Sequence, residues 1–296
     1  MPTPAINAPH ASWQPQPSGT THRLAGFLNI LDLGAADVQK HGDALDRLRS
    51  GELQAVVIAN CLSPGLLPQV VDRLERHAPP FLKTWFPPAF HACFYGRNLN
   101  LTDLEEVDYF GESERFHAHL AELLPAGPTL SERLQRLLSA LDHGRPFAAA
   151  PGPAPGQRYM FTTLRGHFSQ GYIPAHFDNE MRLRPSYRHL AGIVDRHILS
   201  FVLAFSQAES GGALEVFDLR CDPDDARFLN DDHVLAKPDT AALASVSFTL
   251  PPGSMIVLDS GRFLHRLTRV VGAQTRWSAC SFMACSVSGD ATWCWG

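Results

Sequence analysis

The run GYIPAHFDNE sets His176 and Asp178 two residues apart. If this run is a strand, side chains at i and i+2 leave the same face, so an imidazole and a carboxylate converge on one point. A second imidazole, His265, lies far downstream near the start of another strand-like run, FLHRLTRVV. Two histidines and one carboxylate occupy one face of an octahedral ion and leave the opposite positions open, an arrangement suited to Fe(II) with small reactants beside it. An HxD pair in a chain with 14 histidines is a weak signal taken alone, and its bland alternative is a polar surface. The elements that carry the three residues therefore decide the matter.

After AAAPGPAPGQ, helical periodicity gives way to short runs rich in β-branched and aromatic residues, separated by Gly211-Gly212, Pro251-Pro252-Gly253 and Gly272. Eight strands are expected, over 158–164, 172–177, 198–205, 213–219, 245–250, 255–258, 264–271 and 276–285. Ahead of them, 36–50 reads as a helix ended by Gly51, 53–59 as a strand, and Ser63-Pro64 as the start of a helix over 66–77. Thr129 and Glu132 form a T-x-x-E capping box before LSERLQRLLSAL. The expected organisation is a flexible tail (1–23), a mainly helical region (24–147), a Pro/Gly connector (148–157) and a β core (158–296). The fold class is α+β with a mainly β jelly-roll core and the N-terminal helices packed on one sheet.

The order of HxD, then SFVLAFSQAESGGALEVFDL, then PPGSMIVLDSGRFLHRLTRVVGAQTRWSACSF resembles the 2-oxoglutarate and Fe(II)-dependent oxygenases, particularly their prolyl-hydroxylase-like branch. The likeness covers 157–285 well and LQAVVIANCLSPGLLPQVVDRL weakly. It implies a double-stranded β-helix of the cupin-like kind, with Fe(II) held by His176, Asp178 and His265. It further implies 2-oxoglutarate and O2 as co-substrates, the 2-oxoglutarate reaching the iron through its keto-acid end. The distal carboxylate would then need a cation; Arg276 is expected there, with Ser278 on the same strand face. Arg276 stands slightly further past His265 than is common in that branch, which a one-residue bulge near Gly272 would absorb; Arg269 and Arg266 are its competitors. The intact carboxylate at Asp178 favours hydroxylation, because halogenases of this class carry a small residue there.

Tyr172 would share the metal-facing side of a regular strand and contact the co-substrate, although Pro174 disturbs that regularity. Asn179 and Glu180, and the cluster Arg182, Arg184, Tyr187, Arg188 and His189, could touch substrate or form a charged surface loop. His117 and His119 diverge on a helix and read as surface residues, Asp142-His143 and Asp231-Asp232-His233 as loop decoys, and Cys280 and Phe282 as barrel lining.

Composition bounds the partners. The 296 residues are 45% hydrophobic and 19% charged, a globular balance, and 25 basic against 30 acidic residues argue against nucleic acid or an anionic membrane as the main partner. No apolar run is long enough to span a bilayer, no N-terminal signal is evident, and six cysteines without a CxxC pair suggest reduced thiols, so a cytoplasmic location is expected. The expected activity is hydroxylation of an unactivated C–H bond in a small amino-acid-like or natural-product substrate. A protein hydroxylase and a cupin-like metal-binding protein without O2 chemistry are the alternatives, and the oligomeric state is open.

Overall fold

A computed structural model of the chain describes residues 9–179, 184–221 and 239–296. Among these, two sheets face one another. The smaller has 5 strands, in the order His10–Ser12, Ser245–Phe248, Leu214–Arg220, Phe263–Leu267, Ile173–His176. The larger has 11, and its middle runs Ala55–Ala59, Met255–Leu258, Leu199–Ala204, Arg276–Cys285, Thr163–His167, Ala92–Tyr95. This is the double-stranded β-helix expected from the sequence, an α+β fold with a mainly β core.

Period-2 alternation sorts residues between two apolar layers. Ala55, Val57, Ile256 and Leu258 point between the sheets with Leu214, Val216 and Phe248, whereas Val56, Ile58, Met255 and Val257 join the layer under the helices. Helix Leu130–Ala140 buries Leu130, Leu134 and Leu138 at a four-residue repeat, and Thr129 with Glu132 closes its N-terminus in the expected capping box. Helix Leu67–Glu75 buries Leu67, Val70 and Leu74; Ser63 and Pro64 form the turn before it rather than its cap. No helix among the described residues is long and apolar enough to cross a membrane.

The N-terminal third departs from expectation. Within the presumed tail, His10–Ser12 pairs in parallel with Ser245–Ser247, Trp13 is buried and donates to Asp32, and Thr20–Leu24 forms a strand. The region expected to be mainly helical adds strands Leu28–Gly34, Lys83–Trp85 and Ala92–Tyr95 to the large sheet. The connector is not a linker: Phe147–Ala149 pairs with Thr292–Trp295, and Pro151 bridges to Arg158. Residues from both sides of it share one apolar core, so front and back halves form one unit. Thr20–Leu24 with Leu28–Gly34 and Lys83–Trp85 with Ala92–Tyr95 are hairpins added at the two ends of the large sheet, whereas His10–Ser12 and Phe147–Ala149 are specified by partners distant in sequence, which local pattern does not reveal.

Candidate active site

His265 stands directly opposite His176 in the pairing of Phe263–Leu267 with Ile173–His176. Opposed residues of an antiparallel pair share a face, so the two imidazoles meet, with ring centroids 4.3 Å apart. Asp178 lies just beyond the strand end, its backbone N–H donating to the Ser260 carbonyl at 3.0 Å. Its Oδ1 is 3.4 Å from His176 Nε2 and its Oδ2 3.4 Å from His265 Nε2. Ligand atoms of the three residues lie within 4.8 Å of one another. Each imidazole engages a carbonyl two residues earlier through Nδ1, His176 on Pro174 at 2.8 Å and His265 on Phe263 at 3.0 Å. With the proton held on Nδ1, both Nε2 lone pairs are presented to the centre. Burial alone would push the Asp178 carboxyl up, but the positive charge and Nε2–H bonds of the His265 and His176 imidazoles in their protonated form outweigh it and hold the group well below the usual carboxylate range; a metal ion that displaced those Nε2 protons would supply the positive charge instead. Two neutral nitrogen donors and one anionic oxygen donor fit a divalent iron ion with open positions.

From the triad a cavity of about 230 Å³ runs into the barrel. The strand Arg276–Cys285 is buried along almost its whole length, and alternation sends Arg276, Ser278, Cys280 and Phe282 into the cavity and Trp277, Ala279 and Met283 into the helix-covered layer. Arg276 is 8% exposed and donates to Ser278 Oγ at 3.4 Å. Burial, reinforced by nearby Arg165, pulls its guanidinium from 12.5 down to about 10, which leaves it charged at neutral pH. Arg269 is exposed and reaches Gln170, and Arg266, which also borders the cavity, is half-buried and tied to Glu215 at 2.6 Å, so of the three arginines weighed Arg276 is the buried one with no carboxylate partner among the described residues.

Sequence reasoning placed the neighbouring strand at 158–164 and so missed Arg165 and His167, which the observed strand Thr163–His167 carries. Thr163–His167 pairs with Arg276–Cys285 so that His167 opposes Arg276 and Arg165 opposes Ser278. Arg165 Nη2 and both His167 ring nitrogens are buried with no hydrogen-bond partner. Burial, then Arg276 and Arg165, hold His167 well below its usual range and therefore neutral. Two buried guanidiniums and an orphaned imidazole line this end of the cavity with no carboxylate on either arginine among the described residues, a set of donors suited to an anion. The alternation T-x-R-x-H, which starts at the end of the run read as a strand over 158–164 and continues past it, was the signal available.

The Gly-Gly pair has a steric reason. Gly211 and Gly212 have φ of +67° and +64°, and a Cβ on Gly212 would sit 2.9 Å from Arg276 Cδ. The expected bulge near Gly272 is a turn instead: Val270–Val271 pairs with Ser210–Gly211, and Gly272 follows at φ +107°.

Other candidates fall elsewhere. Tyr172 does not line the cavity. Pro174 and a register irregularity turn it out, edge-on to Phe90 at 5.5 Å and under the Arg269 guanidinium at 5.0 Å. Arg184 lines the mouth and donates to the Asn100 carbonyl at 2.8 Å, and Tyr187 donates to Asn100 Oδ1. Arg188 and His189 line a separate hollow with Tyr159, and Asn179 donates to Cys221 Sγ at 3.5 Å. His117 is half-buried on the Tyr159 carbonyl rather than on the surface. Asp142 is fully buried between Arg49, Arg145 and Thr292 and is a structural ion-pair centre, not a loop decoy. Glu180, Arg182, Asp231, Asp232 and His233 lie outside the described residues.

Comparison with solved structures agrees on the fold. The N-substituted L-amino acid dioxygenase of Burkholderia ambifaria AMMD superposes with a TM-score of 0.55 at 16% identity, covering 86% of this chain and 91% of that one. Its complex with alpha-KG gives 0.54 at 15% identity over the same shares. A search of curated protein sequences finds no match. Fold and site together define a 2-oxoglutarate- and Fe(II)-dependent oxygenase. Within that class, residues 27–296 match the family model of the carrier-protein-independent halogenase WelO5, and the chain belongs to that family.

Proposed function

We propose that this enzyme hydroxylates an unactivated C–H bond of a small molecule, with His176, Asp178 and His265 holding the iron. One observation carries the reaction type: the Asp178 carboxylate stands between both imidazoles, at 3.4 Å from each. A carboxylate ligand fills the place and supplies the negative charge that a bound halide would otherwise bring.

The chemistry that Fe(II) supplies when bound is the reduction of O2 coupled to decarboxylation of 2-oxoglutarate, giving CO2, succinate with one oxygen atom, and the second oxygen atom for the C–H bond. The chain's residues do the rest. His176 and His265 keep their Nδ1 protons on backbone carbonyls, so their Nε2 atoms stay available as ligands. Arg276 and Arg165 bind and orient the distal carboxylate of the co-substrate, with Ser278 and neutral His167 adding hydrogen bonds. Phe86, Phe90, Leu101 and Phe282 give the cavity apolar walls that exclude water and leave room for a substrate body beside the triad. The Arg184 and Tyr187 bonds to Asn100 tie the two sides of the mouth together.

Halogenation is the second reading, favoured by the family model. Both are tested by loading the protein anaerobically with Fe(II) and 2-oxoglutarate, adding a metabolite panel with and without chloride, and admitting O2. Hydroxylated products and succinate with chloride present support the proposal. A chlorinated product from the wild-type chain refutes it and establishes the second reading.

A further inference from the structure

Two of the three ligands hang from one turn. Residues 259–262 connect the inner strand Met255–Leu258 to Phe263–Leu267, which carries His265. The Ser260 carbonyl accepts the Asp178 N–H at 3.0 Å. The Phe263 N–H donates to the Asp259 carbonyl at 3.0 Å, and the Phe263 carbonyl in turn engages His265 Nδ1 at 3.0 Å. The turn thus sets both the depth of Asp178 and the orientation of the His265 ring.

The Asp259 side chain holds that turn. It is fully buried, and its two oxygens are used separately: Oδ1 meets His197 Nε2 at 2.8 Å, and Oδ2 accepts from Arg262 Nε at 2.7 Å. Arg262 also donates through Nη2 to the Leu48 carbonyl at 2.8 Å, near the C-terminal end of helix Ala44–Ser50. The Asp259 N–H donates to the Gln54 carbonyl, and Gly261 donates to Ile198, where a Cβ would meet the Ile198 carbonyl at 2.7 Å. The turn is therefore clamped on one side by the N-terminal region and on the other by the segment leading into Leu199–Ala204. None of Asp259, His197 and Arg262 lines the cavity, so none is placed to touch iron, co-substrate or substrate.

We infer that Asp259 is a positioning residue for the metal centre: with His197 and Arg262 it fixes the turn that sets Asp178 against His265. The inference rests on the proposed iron site. A buried carboxylate bridging two cationic or imidazole partners stiffens backbone in a way a neutral side chain cannot, since each lost charge-assisted bond leaves a partner unsatisfied.

Metal binding in the absence of turnover tests it. The wild type, Asp259→Asn, His197→Gln and Asp142→Asn would be titrated anaerobically with Co(II) alone, following affinity and visible absorption, and the denaturation midpoint of each metal-free chain would be measured. Asp142→Asn is the control, a buried ion-pair centre whose partners Arg49, Arg145 and Thr292 touch neither triad nor cavity. Asp259→Asn should weaken Co(II) binding roughly tenfold or more and alter the absorption envelope, as outer partners of metal ligands do. His197→Gln, changed at the half-buried end of the network, should weaken it several-fold and reports on the network if Asp259→Asn does not fold. Asp142→Asn should lower the midpoint with affinity and spectrum unchanged. Wild-type affinity and spectrum in both network variants overturn the inference, as does an equal loss in the Asp142→Asn control. A wild type that binds no Co(II) refutes instead the iron-site reading on which the inference stands.

Discussion

Replacing Arg276 by methionine should make the ligand-free protein more stable while nearly abolishing its hold on the co-substrate. The guanidinium is buried without a carboxylate partner among the described residues, and burial pulls it from 12.5 to about 10. At 1.36 kcal/mol per unit this is a penalty of about 3 kcal/mol on the charged folded form. Below about pH 10 the guanidinium is charged in folded and unfolded chains alike, so the penalty is constant there; it fades as pH rises from about 10 to 12.5, where the folded form sheds its proton first. Methionine keeps most of the stem's volume and removes the charge, so the ligand-free variant should gain ~1–3 kcal/mol. Loss of the buried carboxylate pair should cost ~2–5 kcal/mol of 2-oxoglutarate binding. Urea denaturation with and without 2-oxoglutarate, on chains loaded with a redox-inert metal, measures both quantities. At a hundredfold excess over Kd the wild type should gain about 2.7 kcal/mol from the ligand, and Arg276→Met should gain almost nothing. Arg276→Lys should fall between, keeping the charge but not the fork, and Arg269→Ala should match the wild type. A ligand-free Arg276→Met chain less stable than wild type, yet stabilised normally by 2-oxoglutarate, would refute the assignment.

Each of His176→Ala, Asp178→Ala and His265→Ala should remove tight Fe(II) binding and succinate formation while the fold persists, checked by metal content and circular dichroism; wild-type turnover in any one removes that residue from the site. Gly212→Ala should raise the KM for 2-oxoglutarate as well as lower stability, because the added Cβ would stand 2.9 Å from Arg276 Cδ at a backbone φ of +64°; an unchanged KM would separate the Gly-Gly turn from co-substrate binding. Asp32 is 3% exposed, and burial raises its carboxyl to about 6 despite the bond from Trp13. Its ionisation therefore costs the folded state stability as pH rises from about 4 to 6, with His22 3.3 Å away, itself lowered by burial. Asp32→Asn should gain ~2–3 kcal/mol at pH 7 and nothing at pH 4; equal effects at both pH values in denaturant titrations would contradict the raised carboxyl.

Most strands of the barrel were legible in local pattern alone. Strand Arg276–Cys285 is found where it was read, and period-2 alternation along it stated which side chains would share a face, because a regular strand leaves no other choice; in the His176 run the strand ends at His176, and Asp178 is set by the Ser260 carbonyl rather than by alternation. The capping box at Thr129 was equally local. Features that depend on partners far apart in the chain were not legible before folding brought those partners together. His10–Ser12 is a strand because Ser245–Ser247 offers an open edge, not because its own residues demand one. Tyr172, placed by regular alternation, is turned away by Pro174 and by a register shift that only the facing strand reveals. Arg165 and His167 acquire meaning once pairing sets them against Ser278 and Arg276, for a cation becomes an anion receptor only when burial takes away its water and no carboxylate replaces it.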